Sequence, residues 1–447
     1  MAGGGGPANL LIFGLSPFWV STVLFVATYA LVITDWVNRA IAALLGAALM
    51  ISLGVLNQED AIRGIDFNTL GLLTGMMVVV AISRRCGMFQ YVAIWSAKKV
   101  DADPWGILVM LAVVTATFSA LLDNITTVLL IVPVTLLITE ELGVDPYPYL
   151  VTEVLSSNIG GTATLIGDPP NIMIGSATKL TFIDFLWHLT PIVPLILLVT
   201  LGAVYIIWGR RLRATPEARR RIMQFDERQA ITDQVLLKRS LSVLGLVMVG
   251  FVLSHLLHIE PATIALFGAA ALLLLTNLGH KAEDQSKNVH TAFAEVEWVT
   301  IFFFVGLFVV VHGIETAGVL DWLGEEILRV TRGDLQITAM AVLWASAGLS
   351  AVVDNIPFVA TMIPLIKSMA PNFGGSEQLL PLWWALALGA CLGGNGTLIG
   401  ASANLIVAGL SERAGHRISF LWFTLAGFPL MLLSIAMATI YLYLRYL

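Results

Sequence analysis

The sequence predicts an all-α membrane protein made of two inverted-topology repeats, each with about five spanning helices, a re-entrant hairpin and a broken helix. Three observations carry this expectation. Hydrophobic residues form 57% of the 447-residue chain and charged ones only 12%, against roughly 25% charged in an ordinary soluble domain. Apolar stretches recur, as at 18–34, 191–208 and 241–258, with the length that crosses ~30 Å of hydrocarbon. The chain also matches itself. FSALLDNITTVLLIVPVTLLI (118–138) aligns with LSAVVDNIPFVATMIPLIKSM (349–369), GGTATLIGDPPN (160–171) with GGNGTLIGASAN (393–404), and Thr69, Gly75 and Gly87 with Thr300, Gly306 and Gly318. Three matches in one order at nearly one offset mark a duplication.

The elements follow in chain order. Residues 1–16 read as a flexible tail, because a glycine run without Lys or Arg lacks the basic start of a signal peptide. Repeat 1 occupies 17–208, with spans expected at 17–34, 39–56, 67–84, 148–178 and 188–208. The stretch 105–141 is too long for one helix and holds Asp123-Asn124 in its middle. It is expected to be a re-entrant hairpin whose tip is shielded from lipid, since irregular backbone survives at membrane depth only when so shielded. The glycines and the Asp168-Pro169-Pro170 run around Thr-Leu-Ile predict a helix broken inside 148–178, because proline supplies no backbone N–H. Residues 209–239, with RRLRATPEARRR, form a basic linker placed in the cytoplasm by the positive-inside rule and read as a solvated loop. Repeat 2 then occupies 240–447. An odd number of crossings per half inverts the second half relative to the first. On this topology Arg39, Arg84, Arg85, Lys98 and Lys99, among others, fall on the linker side.

Ionisable residues deep in a bilayer are costly and usually face a cavity on an ion or substrate path. Asp123 and Asp354 are therefore assigned to proton coupling, although each also suits the N-cap of the helix that follows it. Asp168, where repeat 2 has Ala401, is a third proton-coupling candidate, and Glu153 a further one. Broken helices present unpaired N–H and C=O groups that suit small polar solutes. Around them Asn124, Thr126, Thr162, Thr164, Asn171, Asn355, Asn395, Thr397 and Asn404 are the expected substrate-binding groups; alternatively they only satisfy the broken backbone. No Lys or Arg lies within these segments before Lys179 and Lys367. A neutral hydroxylated solute or a cation thus fits two carboxylates better than an anion does. His188, His255, His258 and His312 fall near expected helix ends and read as interfacial.

Other chemistry is disfavoured. Cys86 and Cys391 are the only cysteines, so there is no disulfide framework or thiolate metal site, and no metal or cofactor is expected. The chain has no His-Glu-x-x-His pattern and no phosphate-binding Gly-x-x-x-x-Gly-Lys-[Ser/Thr] loop. It is not expected to be an enzyme, and any ATP dependence must come from a partner. No nucleic-acid partner is expected; the partners are the bilayer and the transported species.

ALLDNITTVLLIVP, SSNIGGTATLIGDPPNIMIG and VVDNIPFVATMIP resemble the arsenite and antimonite efflux permeases, the arsenical pump membrane proteins of the ion transporter superfamily, a group related to the melanosomal P protein. The resemblance covers essentially the whole chain. Dicarboxylate-transporting relatives carry Ser-Asn-Thr where this chain has Asp-Asn-Ile at both hairpins. The resemblance implies the inverted-repeat fold and proton-driven antiport of arsenite or antimonite out of the cytoplasm. It further implies arsenical resistance, a multi-pass place in the bacterial inner membrane, and a cytoplasmic ATPase docking on the basic linker in some members. Trivalent arsenic at neutral pH is the uncharged As(OH)3, which hydroxyl and amide groups can hold and release. A sodium/proton antiporter of the same fold is the alternative, and a carboxylate or other anion transporter a weaker one.

Overall fold

In the computed structural model, residues 14–34 and 36–447 are described; most of the expected 1–16 tail lies outside them. Among the described residues every regular element is helical. Two apolar helices open the chain, α1 (Pro17–Thr34) and α2 (Arg39–Ser52), followed by the short α3 (Gln58–Arg63) and by α4 (Phe67–Arg84). The span expected at 39–56 stops at Ser52, where the chain turns through Gly54 at φ +80°, a left-handed conformation that costs glycine little.

Next come α5 (Met88–Lys99), then α6 (Pro104–Leu121) and α7 (Asn124–Leu142), which divide the stretch expected as a hairpin over 105–141; each arm is itself long and apolar enough to cross a membrane. The arms part at Leu122-Asp123, with Asp123 the N-cap of α7. The broken helix is α8 (Tyr147–Gly161) and α9 (Pro169–Thr178), separated by 162–168. The last span of the half starts later than expected, as α11 (Val193–Ile207), bent by 50° from the preceding α10 (Phe182–His188).

After α12 (Pro216–Met223), the second half runs α13 (Gln234–Leu257), α14 (Pro261–Asn277), α15 (Ala282–Ala294), α16 (Trp298–Thr316), α17 (Val319–Thr331), α18 (Leu335–Ser350), α19 (Asn355–Ser368), α20 (Leu380–Gly393), α21 (Ser402–Arg413) and α22 (Phe420–Tyr446). The order of α4 to α9 recurs in α16 to α21, although α7 has 19 residues and its counterpart α19 has 14. Among the described residues seven helices are long and apolar enough to cross a membrane, and the bent α10–α11 pair adds one more.

The two halves trade partners. α4 packs on α14 of the other half, and α16 on α2. Their helices approach so closely that a Cβ on Gly75 would lie 2.7 Å from the Ala265 carbonyl carbon, and one on Gly306 2.5 Å from that of Ala43. The hairpin arms cross over likewise, α7 against α21 and α19 against α9. α8 and α20 sit at the centre, buried on all sides; α20 is apolar around its whole circumference, as a buried helix usually is, whereas α8 also buries Thr152, Glu153, Ser156, Ser157 and Asn158.

The basic stretch is strapped to the protein. Arg219 donates to the Asp101 carbonyl oxygen (2.9 Å), Arg221 donates to that of Glu141 (2.8 Å) and pairs with its carboxylate, and Lys98 holds Glu227 at 2.6 Å. Two of its arginines therefore brace the ends of α5 and α7, while most of the stretch stays exposed.

Valine at Gly75 or Gly306 would force two backbones apart, and overpacking of this kind costs about 1–3 kcal/mol. Gly75→Val and Gly306→Val are each expected to lower the unfolding temperature in detergent. Gly202→Ala, inside α11 and meeting nothing within 4 Å, is expected to keep or raise it, since alanine favours a helix interior over glycine.

Candidate functional site

Both hairpin tips and both helix breaks meet at the centre, where each break must satisfy its own stranded backbone. Equivalent side chains do this in the two halves. Thr164 donates to the Ala120 carbonyl and Thr397 to that of Ala351 (both 2.5 Å); Ser119 reaches Ser157 and Ser350 reaches Ala390 (both 2.7 Å). The Asn171 amide is shared among the carbonyls of Gly161, Thr162 and Thr164, and the Asn404 amide bridges Gly394 and Thr397. Thr162 donates to the Asn158 carbonyl. The glycines that mark each break are required by close approach: a Cβ on Gly167 would lie 2.5 Å from the Gly161 carbonyl oxygen, and one on Gly400 2.7 Å from that of Gly394. Of the expected substrate groups, the donors of Thr162, Thr164, Asn171, Thr397 and Asn404 are therefore occupied by backbone.

The remaining polar groups converge. Asp168, 0% exposed, accepts from the amides of Asn124 and Asn355, one from each hairpin tip, both at 3.2 Å. No cation pairs with it among the described residues. Beside it Asn158 donates to Asn395 (2.9 Å) and Asn404 (3.1 Å) and lies 3.4 Å from the Asn124 amide. The Asn395 amide nitrogen is buried without a partner. Cys391 lies against Asn171 (3.6 Å).

The two tip aspartates differ in their surroundings. Asp123 caps α7 by accepting from the Thr126 N–H (2.8 Å) and hydroxyl (2.5 Å). The residue equivalent to Thr126 in repeat 2 is Pro357, which has neither donor. Asp354 accepts only a 3.3 Å bond from the Ile356 N–H. It is completed by Arg39 (3.0 Å) and the Ser402 hydroxyl (2.6 Å), and Arg39 also donates to Ser402 and Thr300. Thus a cation does reach the site, from α2 rather than from the four motif segments. Arg39 reads in the sequence as one more charge on the linker side.

The model of a family described as "Citrate transporter" matches residues 29–389. The chain belongs to this CitMHS family. It is a multi-pass membrane transporter, similar over nearly its whole length to proteins of the same kind. It is 43% identical to an uncharacterised transporter of Mycobacterium tuberculosis, over 96% of this chain and 98% of that one. It is 42% identical to a 46 kDa membrane protein of Mycobacterium leprae, over 96% and 99%. The human P protein is 34% identical over 95% of this chain, which spans 59% of that protein. In fold it is similar to the YdaH transporter of Alcanivorax borkumensis (TM-score 0.60, 13% identity, covering 95% of this chain and 98% of that one). It is likewise similar to MtrF of Neisseria gonorrhoeae (TM-score 0.59, 11% identity, 98% and 96%).

In this CitMHS transporter, sequence reasoning missed three members of the cluster. Asn158 was obscured because its counterpart is Cys391, so the duplication does not mark it. Ser402 stands opposite Pro169 for the same reason. Arg39 lies 84 residues before the first hairpin aspartate, and only the exchange of helices between halves brings it in.

Removing one partner of a buried ion pair costs about 3–5 kcal/mol. Here the side chains are 24% and 15% exposed, so the cost falls below that range. Arg39→Gln and Asp354→Asn are each expected to lower the unfolding temperature, and the double variant to recover part of the loss. Additive losses would contradict the pairing.

Proposed function

We propose that this transporter is a secondary antiporter of the bacterial inner membrane that exports arsenite or antimonite, as the neutral trihydroxide, in exchange for protons. The observation that carries this reading is Asp168, a fully buried carboxylate held by one amide from each hairpin and, among the described residues, by no cation. A buried charge needs a counter-charge, and a proton supplies it without displacing either asparagine. Proton binding there would alter the bonds joining the hairpin tips, which is the link that coupling requires.

The solute side of the reading rests on the neutral donors and acceptors of Asn124, Asn158, Asn355 and Asn395, and on the resemblance to arsenite permeases. An anion is less suited. One like-charge contact at 4 Å costs about 4 kcal/mol at an effective dielectric near 20. Against the carboxylates of Asp123, Asp168 and Asp354 stands one arginine, already paired. In this proposal Asp123 and Asp354 share the proton handling. Thr126, whose hydroxyl is held by Asp123, positions that carboxylate.

A second reading, transport of a carboxylate, is favoured by Arg39 and by the family's description. A substrate carboxylate would then replace Asp354 on the guanidinium. A cytoplasmic ATPase would have to dock on Arg220 and its exposed neighbours, since Arg219 and Arg221 are bonded within the chain.

Proteoliposomes under an imposed proton gradient, offered arsenite, antimonite, sodium and citrate in turn, separate these readings. Accumulation of arsenite and antimonite is expected, with loss on Asp123→Asn. Citrate accumulation that depends on Arg39 would establish the second reading, and sodium-driven proton flux without arsenite transport would establish a sodium/proton antiporter.

A further inference from the structure

Glu153 lies in the middle of α8, away from the tips, 1% exposed. One carboxylate oxygen accepts from the Thr135 hydroxyl of α7, and the other has no partner. The helices packed on α8 bring no counter-charge to it. α6 has no titratable residue. α7 carries Glu140 and Glu141 in its last turn, α11 Tyr205 near its end, α20 only Cys391, and α21 Glu412 and Arg413 in its last turn. α22 carries Tyr441, Tyr443, Arg445 and Tyr446 in its last turns. None bonds to Glu153.

The duplication supplies an internal control. Thr127, Thr135, Glu153, Ser156 and Ser157 of repeat 1 correspond to Phe358, Ile366, Leu386, Gly389 and Ala390 of repeat 2. The same packing of hairpin on broken helix is thus built once with a polar seam and once without. The fold does not require the seam. Within it the hydroxyls of Thr127 and Ser156 are buried without partners, the condition under which water is held inside a protein. Ser157, one turn beyond Glu153, donates to the backbone carbonyl of Asn124 (3.2 Å), and the side-chain amide of the same residue donates to Asp168, so the seam ends beside Asp168 and water held there would carry the last step. At the other end Glu153 is six residues from the start of α8, about 9 Å at 1.5 Å per residue, beside the end of α7 that Arg221 braces.

We infer that Glu153 is a proton-binding site on a one-sided path, which carries protons along the α7–α8 seam between the linker side and Asp168. A proton rather than a metal cation is the fitting occupant, because a cation takes about six oxygen ligands and Glu153 has one hydroxyl beside it. The inference rests on the proton-coupled reading above and assigns that reading a route and a direction.

The test uses the full chain in liposomes, in two arms. In infrared difference spectra between alkaline and acidic pH, the wild type is expected to show a protonated-carboxyl C=O band that Glu153→Gln removes; identical spectra would overturn the inference. In the second arm the probe is arsenite. Glu153→Leu, the side chain that repeat 2 packs at Leu386, is expected to keep gradient-free arsenite counterflow at the wild-type rate. It is expected to slow proton-driven accumulation on the order of 100-fold, the low end of what a positioned proton carrier contributes. Unchanged accumulation would overturn the path. Absence of arsenite counterflow in the wild type would instead overturn the substrate reading, leaving the infrared arm to decide Glu153.

Discussion

Broken helices leave carbonyl and N–H groups unpaired at a depth where no bulk water reaches them, and each such group costs several kcal/mol if left alone. The centre of this protein is organised by that constraint. Thr164 with Thr397, Ser119 with Ser350, and Asn171 with Asn404 bond equivalent carbonyls in the two halves. Glycines at 161, 167, 394 and 400 let the backbones approach closely enough for this to work. What looks in the sequence like a ring of solute ligands is to a large extent the internal solvent of the breaks.

The symmetry of this arrangement fails at the charged groups. Pro357 withholds the donors that Thr126 gives Asp123, so Asp354 draws in Arg39 and Ser402. Asp168 faces both hairpin tips, while its counterpart, Ala401, has nothing to bond. Asn158 occupies the position of a thiol in the other half and gathers Asn395 and Asn404. A symmetric frame thus holds an asymmetric set of charges. One carboxylate is capped, one is ion-paired, and one is suspended between amides. Such a set can give a transporter a preferred ion and a preferred direction without disturbing the frame.

The frame was largely legible in the sequence because it repeats. Hydrophobic length located α1 and α4 to the residue, and the Asp-Asn and Gly-Gly motifs located the hairpin turn and the helix break. Boundaries failed where local backbone decided them, at Gly54 after α2 and at the bend before α11. Asp123, Asp168 and Asp354 were legible because a carboxylate inside an apolar run is too costly to be there by chance. Arg39 was not, since a lone arginine at a helix start obeys the positive-inside rule whether or not it turns inward. The bracing role of Arg219 and Arg221 was hidden likewise, because a basic loop has the same composition free or strapped down.

In the proposed mechanism a proton on Asp168 and the solute at the hairpin tips answer to each other. The decisive measurement is arsenite-evoked proton release from purified protein in weakly buffered detergent solution, followed with a pH indicator in the wild type and in Asp168→Asn. Release by the wild type and none by the variant is expected. Equal release from both would show that the coupling proton resides elsewhere.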